Sequence, residues 1–530
     1  MTRDPAVVDG RRAPARGAFR GLDAAAYAAV GLSAALTVLI GLLGPSAMVP
    51  GLPGPAWQPP YSLGVRPDGH LVIAMAAAAI VLGGLGLAGA LRARSGPAPR
   101  LLLVAGCAVA GLLAFLPPSG SADHLNYAAY GRLAALGLDP YAVTPAELPA
   151  DPVTGAVEEW AGVTSVYGPV ATAVHALASL IGGDSVRLTV FAMAAFNAAA
   201  FIGTALLLHR FTRADAGLSR RAALLWAANP LMLYHLAAGT HVDTLAVACM
   251  VAALVAHAAG NAARAGAVPA GVAGPGGPAV PAVPAVPVGS DGPGGGWRRA
   301  GSGVLLGLGI GVKLNAGLVA LGPAWELRRS PRRLAVVAGA ATATVLLTYG
   351  LAGPHVLDQV GAASKKVSLA TPWQLAKTGL QAAFGPGAYS SWIQLGSLLL
   401  LACLAWLVLR ATPRATAPAV SAALVAAWLF AAPYALPWYD GLAFALLAMA
   451  AGASWPALET FVLARTAVLS LGYLPAREAM RPADLLWLKT LLRERVVPWS
   501  LLALTLALAW WAARAGARAR RRSASAAPRP

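Results

Sequence analysis

Apolar runs of about 20 residues recur along this chain, and they restrict its fold more than any other feature. Each run is long enough to cross the hydrocarbon core of a bilayer as a helix. Of the 530 residues, 58% are hydrophobic and only 12% are charged, whereas a soluble chain is about one-quarter charged. The alternating pattern of a membrane β-barrel is absent from the sequence. We therefore expect an all-α polytopic membrane protein with about 12–14 transmembrane helices.

The net charge of +19 is concentrated in Lys and Arg residues at the ends of the apolar runs. This placement indicates membrane topology instead of nucleic-acid binding, because cytoplasmic segments of membrane proteins are enriched in Lys and Arg. The sequence predicts two transmembrane modules in the plasma membrane, with basic cytoplasmic ends and a cytoplasmic Gly/Pro-rich linker between them. In chain order the segments are the N-terminus 1–21, the first module 22–260, the linker 261–299, the second module 300–513 and the tail 514–530.

Three apolar segments are predicted to be irregular. The segment 222–237 is interrupted by Asn229-Pro230. Basic clusters lie on both sides of 304–325, and both are expected in the cytoplasm. A single span would end on the opposite side of the membrane, so two short helices that meet near Lys313 are favoured. The stretch from Tyr167 to Ile181 is too short for a confident span, so it is interpreted as interfacial or re-entrant.

The loop 117–167 is the longest polar stretch outside the linker, and the basic turn before the preceding span predicts that it is extracytoplasmic. It holds six of the chain's 21 acids, which are Asp123, Asp139, Glu147, Asp151, Glu158 and Glu159. Asp123 follows the end of a predicted span closely, at the height of the membrane surface. A carboxylate there could act as a general base toward a sugar hydroxyl, or it could be a solvated loop acid. Tyr127, Tyr130 and Arg132 follow at helical spacing, which predicts a short interfacial helix capped by Asp123.

The remaining candidate residues are also expected at the outer face. His241 and Asp243 have metal-capable side chains, but two ligands are weak support for a metal, and a hydrogen-bonded pair that holds substrate fits better. Lys365 and Lys366, near Trp373, suit a phosphate-bearing lipid, although an ordinary interfacial basic pair is the alternative. Lys313 has no evident partner and is expected to reach toward a lipid headgroup.

Four stretches resemble a known family by their order and spacing within residues 117–330. They read DHLNYAAYGRLAALGLDPY, VYGP, AGTHVDTLAVACMVAAL and GVLLGLGIGVKLNAGLVALGPAWEL. These stretches resemble the polyprenol-phosphate-mannose-dependent α-(1→6)-mannosyltransferases of actinobacteria, which have the multispanning GT-C fold. The resemblance implies that Asp123 is the catalytic base and that His241 and Asp243 lie beside the substrate. Relatives commonly have Asn between these two residues, where this chain has Val242.

On this resemblance, the enzyme would transfer mannose from polyprenyl-phosphate-mannose to a membrane-anchored mannan or lipoglycan by inverting single displacement. No cofactor is required by the sequence, and a divalent metal is compatible with the residues but not indicated by them. The candidate substrate-binding residues are Tyr127, Arg132, Asp139, Tyr141, Tyr167, His241, Asp243, Lys365, Lys366, Trp373, Tyr439 and Asp440.

Two alternatives remain at the level of sequence. One is a lipid or glycan transporter or flippase, which would also have many spans and broken helices. The absence of a visible internal repeat, and polar residues gathered at the outer face instead of mid-membrane, argue against it. The other is a GT-C transferase that uses a different polyprenyl-phosphate sugar.

Overall fold

The structure is a computed structural model that describes residues 16–262, 295–412, 416–452, 454–475 and 477–525. Across these ranges the regular secondary structure is helical, with no β-strand, so the all-α prediction is confirmed. Most of the basic N-terminus, residues 263–294 of the linker and the last five residues of the tail lie outside the described residues.

Nineteen α-helices are numbered here in chain order within the described ranges. They are α1 (Arg16–Leu43), α2 (Gly69–Arg92), α3 (Pro99–Ala114), α4 (Asp123–Ala135), α5 (Pro169–Gly182), α6 (Val186–Thr212), α7 (Ala216–Leu225), α8 (Pro230–Met232), α9 (Asp243–Ala262), α10 (Gly295–Val312), α11 (Leu321–Leu327), α12 (Pro331–Ala352), α13 (His355–Ser364), α14 (Pro372–Phe384), α15 (Ser390–Ala411), α16 (Ala417–Ala431), α17 (Asp440–Met449), α18 (Trp455–Gly472) and α19 (Val497–Ser525).

Seven helical segments in the described residues are long and apolar enough to cross a membrane, which confirms a multispanning protein. They lie in α1, α2, α6, α9, α12 and α15 and in the continuous helical segment Ala483–Arg518 that contains most of α19. Helices α3, α5 and α16 are also apolar but shorter.

Small residues allow the membrane helices to approach closely. A side chain added at Gly86 of α2 would come within 2.8 Å of the Val30 backbone nitrogen in α1. One added at Gly303 of α10 would come within 2.4 Å of the Val337 carbonyl oxygen in α12. Without hydrophobic exclusion inside a bilayer, such close van der Waals packing is a main source of helix association.

Both predicted helix interruptions are present. After α7, the Asn229 side chain accepts hydrogen bonds from the backbone nitrogens of Leu231 and Met232 at 3.1 and 3.3 Å and so starts α8. A π-helical turn, Leu233–Ala238, continues this segment. Helix α10 ends at Val312, and Lys313 is extended (φ −154°, ψ 118°) before a 3₁₀-helix begins.

The loop 117–167 is folded into the protein, and nine of the 13 residues of α4 are buried. The short helix predicted at Asp123 is present, and its place at the membrane interface stays a prediction. Asp123 does not cap α4, because it is the first helical residue, and its backbone nitrogen donates to Ser121 Oγ at 3.0 Å. Although most of α4 is buried, the Asp123 carboxylate at its start is available to face a cavity.

Candidate active site

A cavity of about 580 Å³ lies where several helix ends and chain breaks meet. Helix α4 contributes one face to it through Asp123, Asn126 and Tyr130. Their spacing of three and then four residues places these side chains on one side of a helix. The other walls come from the end of the 117–167 loop, the break after α10, Lys366, α16 and the segment before α17.

Asp123 is the only acid among the residues that line this cavity. Its side chain is 24% exposed, and its Oδ2 lies 3.8 Å from His241 Nδ1. The pKa of Asp123 is raised to about 6, mainly by burial and also by the charge of Glu159, while the Lys313 ammonium lowers it. A carboxylate with a pKa near neutrality is suited to accept a proton during a reaction.

His241 is fixed beside Asp123 by rigid neighbours. Its ring stacks on Trp438 at a centroid distance of 3.7 Å, and its Nδ1 lies 3.2 Å from the hydroxyl of Tyr127. The preceding residue, Thr240, has a left-handed backbone (φ +52°), which is costly for a β-branched residue. Burial lowers the pKa of His241, so the ring is neutral near pH 7 and can orient its neighbours without adding charge.

Asp243 and Lys313 form a buried ion pair at the cavity wall. Lys313 Nζ lies 2.6 Å from Asp243 Oδ1 and 3.7 Å from the centre of the Tyr439 ring. Lys313 lines the cavity, so the expectation that it reaches toward a headgroup for lack of a partner was wrong. His241 Nδ1 contacts the Tyr127 hydroxyl and lies near Asp123, whereas Asp243 bonds Lys313, so His241 and Asp243 hold different parts of the site.

The Tyr167-Gly168-Pro169 motif packs directly against the break after α10. The Gly168 nitrogen donates to the Val312 carbonyl oxygen at 3.1 Å, and a side chain at Gly168 would come within 2.1 Å of the Gly311 oxygen. Only glycine allows this approach. Tyr167 lines the cavity and packs edge-on against Tyr127 at 4.9 Å.

Several candidate residues from the 117–167 loop lie outside the cavity lining. Arg132 donates to Asp151 at 2.8 Å and also pairs with Asp184. Tyr141 bonds the Thr172 hydroxyl at 2.8 Å. Asp139 accepts a hydrogen bond from the Tyr141 nitrogen at 2.9 Å and lies 2.8 Å from His355 Nδ1. These contacts stabilise the fold around the loop.

The candidate residues of the second module also divide into some that line the cavity and some that do not. Lys366 and Tyr439 line the cavity, whereas Lys365, Trp373 and Asp440 are not among its lining residues. The Trp373 indole donates to the Ala431 carbonyl oxygen at 2.8 Å. Asp440 is completely buried, where it pairs with Arg465 and accepts a hydrogen bond from Thr466 at 2.6 Å.

Sequence reasoning missed several lining residues. They are Asn126, Trp160, Asn315, Trp428 and Tyr434, together with hydrophobic residues of the same wall. The helical repeat of Asp123, Asn126 and Tyr130 is the one signal in the sequence that could have found Asn126. Across the described ranges, no three or more His, Cys, Asp and Glu side chains are grouped so as to hold a metal ion.

Fold and site together define a multispanning membrane protein with a cavity that contains one carboxylate, two lysines and several aromatic rings. A family model described as "Alpha-(1->6)-mannopyranosyltransferase, N-terminal domain" matches residues 28–329. The chain therefore belongs to the α-(1→6)-mannopyranosyltransferase family. The matched region contains Asp123, Asp243 and Lys313, while Lys366 and Tyr439 lie beyond it.

Curated relatives match over shorter segments. "Alpha-(1->6)-mannopyranosyltransferase A" of Corynebacterium glutamicum is 29% identical over 138 residues, which cover 26% of this chain and 28% of the relative. The protein of the same name from Mycobacterium tuberculosis is 33% identical over 140 residues, covering 26% and 27% respectively. The chain thus spans about a quarter of the length of the curated relatives it matches. No solved structure matches the chain.

Proposed function

We propose that this protein transfers mannose from polyprenyl-phosphate-mannose to a mannan or lipoglycan acceptor and forms an α-(1→6) linkage. Family membership supports the sugar and the linkage. The observation that carries the proposal is the position of Asp123, an acid with a raised pKa, in the same cavity as Lys313 and Lys366. That arrangement provides a base for the acceptor and cations for a phosphate leaving group.

Asp123 is the general base in the proposed mechanism. A sugar hydroxyl is a weak nucleophile, and a positioned carboxylate removes its proton as the oxygen attacks the anomeric carbon. The C–O bond to the polyprenyl phosphate breaks in the same displacement, and the phosphate leaves with the bonding electrons. A β-linked donor gives an α-linked product, because single displacement inverts the configuration at the anomeric carbon. Neutral His241 lies beside the carboxylate, with its Nδ1 3.8 Å from Asp123 Oδ2, and adds no charge there.

Lys313 is the principal candidate to stabilise the departing phosphate. It is held by Asp243 at 2.6 Å and by the face of Tyr439, so its ammonium is positioned before substrate binds. Preorganised charge of this kind is usually the largest contribution to catalysis. Lys366 is exposed and lines the same cavity, so it can supply a second cation from the opening.

The cavity wall also suits a lipid-linked donor. Apolar residues such as Val166, Leu314 and Leu318 line it together with the polar groups, so a prenyl chain can lie against this wall while its phosphate reaches Lys313. In the proposed orientation the cavity opens on the extracytoplasmic side of the plasma membrane, as the distribution of Arg residues indicates.

Transfer by the purified chain in detergent tests the proposal. Radiolabelled polyprenyl-phosphate-mannose is incubated with an oligomannoside acceptor, and the product linkage is determined by methylation analysis. We expect an α-(1→6)-linked product with the wild-type chain and almost none with Asp123→Asn. Transfer only from another polyprenyl-phosphate sugar would identify a different donor, and a folded chain that transfers no sugar from any such donor would refute the proposal.

Thiol labelling in intact cells tests the orientation separately. Single cysteines replace Ala150, an exposed residue of the 117–167 loop, or Ala214, an exposed residue between α6 and α7, after the native cysteines are substituted. An impermeant reagent is expected to label position 150 and not position 214. Labelling of 214 alone would place the cavity on the cytoplasmic side.

A further inference from the structure

The indole of Trp160 is unusual among the residues that line the cavity. Trp160 lies at the end of the 117–167 loop, and 57% of its surface is exposed although it lines the cavity. Its backbone is left-handed, with φ +63°, a conformation that bulky residues rarely adopt. A residue held in such a conformation at a site usually has a role that maintains it.

The contacts around Trp160 hold it in this position. On one side, Arg477 Nε donates to Glu158 Oε2 at 2.8 Å, and Glu159 accepts from the backbone nitrogen of Glu478 at 2.7 Å. On the other side, the Trp160 carbonyl oxygen accepts from the Val163 nitrogen at 2.9 Å. The backbone is therefore fixed on both sides, while the indole ring is largely exposed and has the Lys366 ammonium 5.5 Å from its centre.

A buried amide faces the same cavity. Asn126 is 5% exposed and lines the cavity, and its Oδ1 has no hydrogen-bond partner in the described part of the chain. A buried carbonyl oxygen without a hydrogen-bond partner destabilises the protein until a donor reaches it. The cavity thus presents an aromatic face at Trp160 and an unused acceptor at Asn126, one helical turn beyond Asp123.

We propose that Trp160 and Asn126 form the binding subsite for a pyranose ring of the acceptor glycan; this inference rests on the proposed function. One face of a mannose ring is made of C–H groups, which pack on an indole, while its hydroxyls need acceptors such as Asn126 Oδ1. The donor needs the ammonium of Lys313 and the apolar wall. The exposed ring of Trp160 carries no charge, so it is assigned to the C–H face of the acceptor sugar, next to the Lys366 ammonium that is assigned to the donor phosphate.

Acceptor kinetics and direct binding of α-(1→6)-linked mannotriose test this assignment on the full chain. Trp160→Ala is expected to raise the KM for the mannotriose about tenfold, equivalent to about 1.4 kcal/mol, with the KM for the donor unchanged. Trp160→Phe should restore most of the acceptor affinity, because it retains an aromatic face. Trp160→Gly, which adopts a positive φ freely, should match Trp160→Ala and so exclude a backbone effect. Trp57→Ala is the matched control, since Trp57 is 75% exposed on another loop and outside the cavity lining.

Calorimetric titration of the mannotriose separates this inference from the proposed function. Binding that weakens about tenfold in Trp160→Ala and in Asn126→Ala supports the subsite, even if the wild-type chain transfers no mannose. Transfer by the wild-type chain with unchanged acceptor KM and unchanged binding in Trp160→Ala would overturn the subsite and leave the mannosyltransferase proposal intact. Equal loss in Trp160→Phe and Trp160→Ala would also overturn it, because the aromatic face would then have no role.

Discussion

The proposed role of Asp123 as the base predicts a specific pH dependence for the transfer reaction. The carboxylate accepts a proton only when it is ionised, and burial raises its pKa to about 6. Activity should therefore be highest above that pH and fall as the pH decreases through it. An aspartate with the ordinary value near 3.8 would remain ionised across the same range.

The expected size of this effect follows from the pKa. One pH unit below a pKa of about 6, roughly one-tenth of the Asp123 carboxyl groups are ionised. The value of kcat/KM at pH 5 should thus be about tenfold below its plateau, with a further tenfold decrease per unit below that. The assay measures initial rates of transfer between pH 4.5 and 8.5, after the thermal stability of the chain at each pH has been checked.

Two charge changes should move the acidic limb of the pH–activity profile, where activity falls with decreasing pH, in opposite directions. Glu159→Gln removes a negative charge that raises the pKa of Asp123, so the limb should shift to lower pH. It also keeps an oxygen that can accept from the Glu478 nitrogen. Lys313→Met removes a positive charge that lowers the pKa of Asp123, so the limb should shift to higher pH, in addition to a lower plateau.

A flat profile down to pH 4.5 would refute the assignment of Asp123 as the base with a raised pKa. Shifts in the same direction for both variants would refute the electrostatic explanation. Lys366→Met is the control for general loss of positive charge, because Lys366 is exposed and is not among the groups that shift the pKa of Asp123. It should reduce activity without moving the limb.

Three further substitutions separate catalytic from structural roles. Asp123→Asn should lower kcat by about 10²–10⁴-fold with the melting temperature near that of wild type; normal transfer would mean that another group is the base. Asp139→Asn should lower kcat by less than about tenfold, because its carboxylate contacts His355 and the Tyr141 nitrogen outside the cavity lining. Asp440→Ala should lower the free energy of unfolding by about 3–5 kcal/mol, because Arg465 is then buried without its partner; an unchanged melting temperature in detergent would contradict this.

The sequence could predict much of the fold because the bilayer leaves few choices. Long apolar runs must form helices, since every backbone polar group has to be satisfied within the segment. The interruptions at Asn229-Pro230 and Lys313 were also predictable, one from a residue pair that starts helices and one from the charges on either side. Asp123 was predictable as a candidate base from its place at the end of a span.

The partners within the site could not be predicted in the same way. The Lys313 ammonium bonds Asp243, 70 residues earlier, and neither residue's local sequence specifies the other. His241 and Asp243 are only two residues apart, yet their side chains hold different groups, because the left-handed Thr240 precedes one and a helix starts at the other. Asp440 also has a partner that its local sequence does not specify. It is an acid at an apparent outer loop, yet it is buried against Arg465 of α18.

Several polar residues that line the cavity lie at points where the helical backbone stops or changes, and this placement has a physical reason. Asp123 begins α4, Lys313 follows the end of α10, and Tyr439 ends a 3₁₀ turn before α17. A continuous helix satisfies its own backbone groups and packs closely against its neighbours, which leaves no space for a polar substrate. Irregular backbone near a membrane is tolerated where it lines a cavity or is buried in protein. In this family member, the breaks that weaken individual helices therefore create both the space and the convergent charges that the proposed sugar transfer requires.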